Sequence, residues 1–553
     1  MQPYVAIKEE KNLSKVELNS SASTTLISNQ DEKEKSKKET DFVNLTAKDI
    51  AFLFVGLVLA CFLAGLDGTI ISTALPRIAS DFSALDQYSW VVNAYLLTYN
   101  ACQPLYGKFS DIFGRKNTLV FAVLVFLGGS AGCGASNSMD LLLFFRAIAG
   151  TGGAGIISLV LIIISDIFPL EERPKYQAII WATFGLSSVL GPLLGGTFVD
   201  HLSWRWDFYM NLPLGAITIA ATTFFLRLSF KSTTLRDKLA RIDYLGSIFI
   251  VMCVITFLLP TSWGGISYAW NSIPVISLYC SSAVFLAIFI FIEFRIAVEP
   301  IVPGHIFKSL TVCAVFITNF FTGAAFFSVI FYGPLYYQAI HGQSATSSGF
   351  NLLPLTLGLV IFSMLTGMMV TKVPGGYRTF IWFGKVLIVV GEGLLCTLDQ
   401  NTSVVKQVFY LLIIGIGLGF ELQMCLLAVQ SASAEKDMAI VTALAGFFQS
   451  IGGGIGVAAA SSIFANEIKS NLLNEVSPEL LTPQVIDIVE NRITDVIILS
   501  EPVYSQIIQV YVLSLQSVFR VNTVFAGIAL ISSLFIGKQK YVDSKESQPH
   551  MVA

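Results

Sequence analysis

Gly107-Lys108-Phe109-Ser110-Asp111-Ile112-Phe113-Gly114-Arg115-Lys116 is a charged island between two apolar runs, residues 88–107 and 117–136. Each run has the length a helix needs to cross the hydrocarbon core, about 20 residues. The two glycines permit a tight turn between helices. Asp111 is placed to pair with Arg115 or with charges on neighbouring helices, a cluster that can latch one conformation and release it. A generic basic loop explains the cations alone. It does not explain an Asp set between Gly107 and Gly114-Arg115-Lys116.

The rest of the chain reads the same way. Of 553 residues, 54% are hydrophobic and only 13% charged, and the mean hydropathy is +0.70. Soluble domains carry about 25% charged residues, so this composition excludes a water-exposed surface. A net charge of -3 gives no basic face for phosphate and excludes nucleic acid as a partner. Apolar runs at 50–74, 88–107, 117–136, 140–164, 175–199, 206–226, 243–263, 273–293, 311–335, 349–371, 380–398, 405–429, 438–464 and 518–537 mark about fourteen spans. Without water at that depth the backbone must bond to itself, which favours helices. A barrel is excluded by run length and by the lack of period-two alternation. The expected class is an all-α polytopic membrane protein.

Lys and Arg set the orientation. With a cytosolic N-terminus, the inside loops hold Lys108, Arg115, Lys116, Arg173, Lys175, Arg241, Arg295, Lys372, Arg378 and Lys436, while the short outside loops hold only Arg77, Arg205 and Lys406. An even number of spans puts both ends in the cytosol. Residues 1–47 are polar and read as a disordered cytosolic tail, and 538–553 as a second tail. No apolar leader opens the chain, so the first span does the targeting. An outside loop is expected over 465–517, with amphipathic stretches at 484–498 and 503–517, either a cap on the bundle or a gate for substrate.

Several motifs carry no chemistry. The 8 cysteines lie in apolar runs without a CxxC and read as packing residues, not as disulfides or metal ligands. Gly150-Thr151-Gly152-Gly153-Ala154-Gly155 matches GxGxxG, but it sits inside an apolar span with no preceding strand, so it reads as helix packing, as does Gly452-Gly453-Gly454-Ile455-Gly456. No GK[ST] phosphate cradle occurs, and no nucleophile–base spacing or metal cluster supports an enzyme.

The segment 107–116 resembles the signature loop of the major facilitator superfamily. Leu66-Asp67-Gly68-Thr69-Ile70-Ile71-Ser72-Thr73-Ala74-Leu75-Pro76 resembles the first-helix motif of its fungal fourteen-spanner drug:proton antiporter branch, which includes vacuolar basic amino acid permeases. Arg146 with Gly150 and Gly155 is similar to the family's second motif. Gly191-Pro192-Leu193-Leu194-Gly195-Gly196 resembles the antiporter motif, and Ser203-Trp204-Arg205-Trp206 with Asn211, Pro213 and Gly215 resembles the opening of the sixth span. The resemblance covers the chain from residue 50 onward. It implies two six-helix bundles, 48–230 and 310–537, with two linker helices in 231–309. Residues 367–378 follow the tenth span and read as a degenerate copy of the first loop, lacking its Asp, where an internal repeat would put one.

Ionisable residues inside spans are the functional pointers, since a central Asp, Lys or Arg costs roughly 2.5–3.5 kcal/mol on insertion. Asp67, Arg146, Lys385, Glu392 and Glu421 lie within proposed spans and are expected to face the interior or a wet cavity. Glu421, flanked by glycines and Gln423, reads as a cation or proton site or as a static polar contact, and Asp67, nearer the outer face, as the alternative proton or substrate carboxylate or as a structural residue. Lys385 and Glu392, seven apart on one helix face, are placed to pair with other helices, or Lys385 to snorkel to the cytosolic surface. Asn93, Asn100 and Gln103 form a polar stripe on the second span, and Asn319 adds a polar group on the ninth. The resemblance implies a monomeric proton-coupled antiporter without cofactor, driven by the proton gradient, working on small cationic solutes or drugs in the vacuolar or plasma membrane. Vacuolar transport of Lys, Arg or His is the alternative. A non-transporting sensor with the same fold is a third reading, disfavoured by the short tail.

Overall fold

The computed structural model describes residues 47–82, 90–170, 172–226, 234–265, 268–370, 372–373, 375–477, 482, 485–486, 489 and 503–538. Among them the structure is helical, with one isolated β-bridge between Gly264 and Tyr268. The long helices are α1 (Ala47–Asp81), α2 (Trp90–Phe113), α3 (Arg115–Ala135), α4 (Met139–Ile167), α5 (Arg173–His201), α6 (Asn211–Phe225, led by the turn Trp206–Tyr209), α7 (Tyr244–Trp263), α8 (Ile273–Arg295), α9 (Leu310–His341), α10 (Leu353–Met369), α11 (Tyr377–Leu395), α12 (Val404–Ser431), α13 (Met438–Glu475) and α14 (Val503–Ser533). By length and composition, 11 helical segments of the described residues can cross a membrane. Helices α2, α5 and α11 stand at the remaining expected positions. They are less apolar because they carry interior polar groups such as Asn100, Gln103, Gln177, Lys385 and Glu392.

Large apolar side chains cover the outer surface: Phe121, Phe144, Phe224, Phe291 and Phe409 are each more than half exposed. Such a surface is tolerable only against lipid. The helices stop where local chemistry dictates. Gly114, at φ 90°, takes the left-handed turn between α2 and α3. Gly375 and Gly376, at φ 88° and 56°, take the corresponding turn between α10 and α11. Ser138 caps α4 by accepting from the Leu141 amide at 3.3 Å, and Asp243 caps α7 by accepting from the Gly246 amide at 2.8 Å.

The two six-helix bundles repeat one packing scheme. In the first, α1 packs on α5 and α6, α2 on α4, and α3 on α4 and α6. In the second, α9 packs on α13 and α14, α10 on α12, and α11 on α12 and α14. The bundles meet reciprocally, α2 against α13 and α5 against α10. Helices α7 and α8 pair with each other, and α7 leans on the seam between α2 and α13. The GxGxxG segment of α4 is a packing surface. A side chain at Gly152 would strike Phe126 and Ala122 of α3, and one at Gly155 would strike Tyr106 of α2.

The loop expected over 465–517 is shorter than its composition suggests. Residues 465–475 continue α13 and 503–517 begin α14, while most of 484–498 falls outside the described residues. The reason is length. At about 1.5 Å per residue, the 38 residues of α13 run well past a hydrocarbon core of about 30 Å. An amphipathic pattern there marks helix beyond the lipid. Asn471 donates to Ser514 Oγ at 3.2 Å and Tyr511 Oη donates to the Val489 carbonyl at 2.9 Å, so the projecting ends brace each other.

The α9–α13 contact depends on glycine. A side chain at Gly452 would overlap the Phe320 backbone carbonyl, whereas Gly527 of α14 faces open space. Gly452→Val is expected to cost at least the about 1–3 kcal/mol typical of overpacking, and Gly527→Val nothing measurable. Thermal melting of the purified variants in detergent checks this; matching curves would remove the packing role.

Candidate functional site

Ionisable groups gather in three places. The first lies at the end of the first bundle opposite its basic loops. Asp67 stands 20 residues along α1, about 30 Å from its start. Arg146 of α4 reaches it, Nη1 to Oδ2 at 2.7 Å, and both side chains are 1% exposed. Arg146 Nε donates to the Val91 carbonyl at 3.0 Å, and its guanidinium lies 4.4 Å from the centre of the Tyr95 ring. Asn211 Nδ2 donates to Asp67 Oδ1 at 3.1 Å and to Ser130 Oγ at 3.2 Å. Asp67 and Arg146, expected as separate interior residues, are thus one buried ion pair. The Trp204-Arg205 stretch pins the adjoining turn: Trp204 Nε1 donates to Asp81 Oδ2 at 2.9 Å, and Arg205 Nη1 donates to the Gly134 and Ser136 carbonyls at 2.7 and 2.6 Å.

The second place is the middle of the second bundle. Lys385 of α11 is ion-paired with Glu421 of α12 and donates to Thr322 Oγ1 of α9, with Lys385 and Glu421 fully enclosed. Lys385 therefore does not snorkel; a buried carboxylate holds it inside. Gly384 and Gly417 bring α11 and α12 together there, since a side chain at either would meet the other's carbonyl at 2.6 Å. Two turns along the same face of α11 lies Glu392, 0% exposed, with neither carboxylate oxygen hydrogen-bonded.

The third place is the basic face. Arg115 bridges Asp111, Nη1 to Oδ1 at 2.5 Å, and Asp166 of α4, Nε to Oδ2 at 2.7 Å. Lys116 donates to the Thr223 carbonyl at 2.5 Å. Gly107 differs from its expected role: it lies within α2, where its missing side chain lets Ala439 and Ala443 of α13 approach, and Gly114 alone makes the turn. Beyond it, Glu299 in the α8–α9 connection binds Lys108 at 2.9 Å and Arg241 at 2.7 and 3.2 Å. His305 reaches Asp437, ahead of α13, at 2.8 Å. These residues line a cleft of about 390 Å³. The hydrogen bond from Arg241, assisted by Lys108, holds the Glu299 carboxyl below the usual carboxylate range against the opposing effect of burial. A lowered value keeps the bridge complete above the ordinary carboxylate range, and it is lost only as pH falls through that lowered value.

The polar stripe divides. Asn100 donates to its own helix, Nδ2 to the Leu96 carbonyl at 2.8 Å, and Asn93 is half-buried. Gln103 lies against Gly446 of α13, and Asn319 Nδ2 donates to the Ala445 carbonyl at 3.1 Å, so α13 brings Gln103 and Asn319 together at the bundle seam. The antiporter-like stretch lies in the uninterrupted helix α5. A side chain at Gly191 would strike Thr69 of α1, Gly195 is buried, and Gly196 has open space around it; the Pro192 side chain lies outside the described residues.

The Major Facilitator Superfamily model matches residues 57–457. The chain belongs to the major facilitator superfamily. It is 36% identical over 511 residues to the MFS-type efflux pump MFS1 of Arthroderma benhamiae, covering 92% of this chain and 94% of that protein. It is 34% identical over 499 residues to the efflux pump aflT of Aspergillus parasiticus (89% and 96%), and 34% over 423 residues to the multidrug transporter protein MdtP of Bacillus subtilis (76% and 76%). The human organic anion transporter MFSD10 shares the fold at a TM-score of 0.57 and 14% identity, covering 88% of this chain and 99% of that one; the proton:xylose symporter XylE shares it at 0.52 and 13%, with 88% and 95% covered. The protein is an integral, multi-pass membrane transporter of small solutes, not an enzyme.

Within this facilitator, the sequence singled out both members of each buried pair but missed Asp207, in the turn before α6. It is 0% exposed, and among the described residues neither carboxylate oxygen has a hydrogen-bond partner. The available signal was an acid among the aromatic residues 204–209 that open the sixth span.

Two predictions test these clusters. Asp67→Ala leaves Arg146 buried without its counter-charge, and losing one partner of such a pair costs about 3–5 kcal/mol. Asp67→Leu combined with Arg146→Met is expected to melt above the single variant; additive losses would show that the two do not act as a pair. Glu299→Gln removes a partly exposed bridge of about 0.5–1 kcal/mol, and is expected to speed hydrogen–deuterium exchange in residues 104–113 about two- to fivefold. Unchanged exchange would show that Glu299 does not brace α2.

Proposed function

We propose that this transporter is a proton-coupled antiporter that removes small cationic organic solutes from the cytosol by alternating access, with Glu421 as the exchange site. One observation carries the reading: Glu421 is a fully enclosed carboxylate in mid-bundle whose counter-charge is another side chain, Lys385. A carboxylate in that position accepts one cation at a time, namely Lys385, a proton or a substrate ammonium. When a proton occupies Glu421, Lys385 is left charged without a partner, and a stranded buried charge is costly. Protonation therefore favours a conformation in which water reaches Lys385. Substrate entering from the basic side meets a carboxylate that the proton has vacated, and competition for one site gives exchange.

The energy source is sufficient. A one-unit pH difference supplies roughly 1.4 kcal/mol per proton, and 100 mV supplies about 2.3 kcal/mol per charge moved. One-for-one exchange of a proton for a monovalent ammonium moves no net charge, so the pH difference alone sustains the solute gradient, about tenfold per unit. The enrichment of Lys and Arg at one face supports a cytosolic placement of that face, and the same topology serves a plasma or a vacuolar membrane. The protein acts as a monomer without a cofactor.

Proteoliposomes loaded with ethidium or with radiolabelled Lys, under an imposed pH gradient, test both the coupling and the solute class. Uphill ethidium movement that collapses when the gradient is dissipated is the expected result. Glu421→Gln is expected to lower gradient-driven flux at least tenfold while leaving downhill exchange measurable. Flux indifferent to the gradient would overturn coupling, full coupling in Glu421→Gln would remove Glu421 from the exchange, and transport of Lys alone would favour vacuolar amino acid storage.

A further inference from the structure

The Asp67–Arg146 cluster holds one carboxylate too many. Arg146 supplies one positive charge and Asp67 takes it at 2.7 Å, while Asp207 is close enough to Asp67 to feel its charge. The next residue, Phe208, sits with its ring centre 5.9 Å from the Arg146 guanidinium. Asp207 is within electrostatic reach of Asp67, whose negative charge opposes a second one nearby. Its own carboxylate oxygens are enclosed and accept no hydrogen bond. One helical turn on, Asn211 donates its amide to Asp67 and Ser130, while its Oδ1 is likewise buried without a donor. Among the described residues, three buried acceptor atoms four residues apart in the chain, two on Asp207 and one on Asn211, lack a hydrogen-bond donor.

We propose that Asp207 is a proton-binding residue, holding one exchangeable proton beside the Asp67–Arg146 pair. The proton turns the carboxyl into a donor, one turn before the orphaned Asn211 Oδ1. It also brings the cluster to neutrality, with Asp67 negative, Arg146 positive and Asp207 uncharged. The other groups on the surrounding elements do not supply this balance. Tyr95 of α2 stacks under Arg146, Cys133 of α3 is a neutral thiol, Arg205 is committed to the Gly134 and Ser136 carbonyls, and His201 at the end of α5 is exposed. Asp207 is within electrostatic reach of Asp67, so a proton leaving Asp207 places a second negative charge near the buried pair that ties α1 to α4. The role in turnover rests on the proton-coupled reading; the bound proton itself does not.

Infrared difference spectroscopy of the purified full-length protein in lipid nanodiscs, stepped in pH without substrate, reads the proton directly. The wild type is expected to show a carboxylic-acid carbonyl band at neutral pH that is absent from Asp207→Asn and still present in Glu392→Gln. Asp207→Glu, which keeps the acid and guards against misfolding of the amide variant, is expected to shift the band's frequency without deleting it. Asp207→Asn is also expected to release one proton fewer per molecule on alkalinisation. A spectrum unchanged in both Asp207 variants would overturn the assignment. If the band behaves as expected while ethidium flux ignores the pH gradient, the proton site stands and the coupled mechanism falls.

Discussion

A charge placed in hydrocarbon has only the protein to solvate it, and this constraint organises the interior. Leaving a carboxylate or guanidinium unpaired at that depth costs several kcal/mol, comparable with the whole stability of a domain. Arg146 and Lys385 accordingly each meet a carboxylate from another helix of the same bundle, and each carries a further hydrogen bond, to the Val91 carbonyl and to Thr322. The pairs dictate the packing around them. Gly384 and Gly417 let α11 and α12 close over Lys385–Glu421, and Gly153 admits the Tyr95 hydroxyl of the ring that underlies Arg146. Small residues and buried ions are two halves of one arrangement, because a salt bridge excludes water only where backbones approach closely.

The repeated packing of the two bundles adds a second constraint. Reciprocal contacts, α2 on α13 and α5 on α10, place the hinge surfaces at equivalent positions in each half. On the basic face these seams are shut. Gly107 packs on Ala439, Gly367 on Pro174, and Gln177 Nε2 donates to Gln430 Oε1 across the bundles at 3.3 Å. Helices α7 and α8 do not enter this symmetry. Their connecting segments contribute Arg241, Glu299 and His305, which bind Lys108 in one bundle and Asp437 near the other. The inserted pair thus braces the seam from outside through partly exposed bridges.

Much of this was legible in the sequence, for identifiable reasons. Helix positions follow from runs of apolar residues, and the turns at Gly114 and Gly375-Gly376 from residues that tolerate positive φ. The pairings were not legible, because a partner 36 residues away on another helix, as Glu421 is from Lys385, leaves no local trace. Lys385 read either as a partner for another helix or as a snorkelling cation, since its level in the membrane is set by tilt and packing. Gly107 read as a turn because a packing glycine and a turning glycine look alike in one dimension. The 465–517 segment read as a loop because helix beyond the lipid loses the apolar signature.

Pairing also sorts the acids by role. Asp67 and Glu421 each have a cation and can remain charged in this conformation, whereas Glu392 and Asp207 have neither cation nor donor among the described residues. A transporter that changes its interior charge during a cycle needs both kinds. The paired acids hold helices in register while closed, and each can give up its side-chain partner only if something else neutralises it. The unpaired acids are tolerable only while they carry a proton or face water, so their charge state must change with the conformation that wets them. One of each kind lies in either half, Asp67 with Asp207 and Glu421 with Glu392.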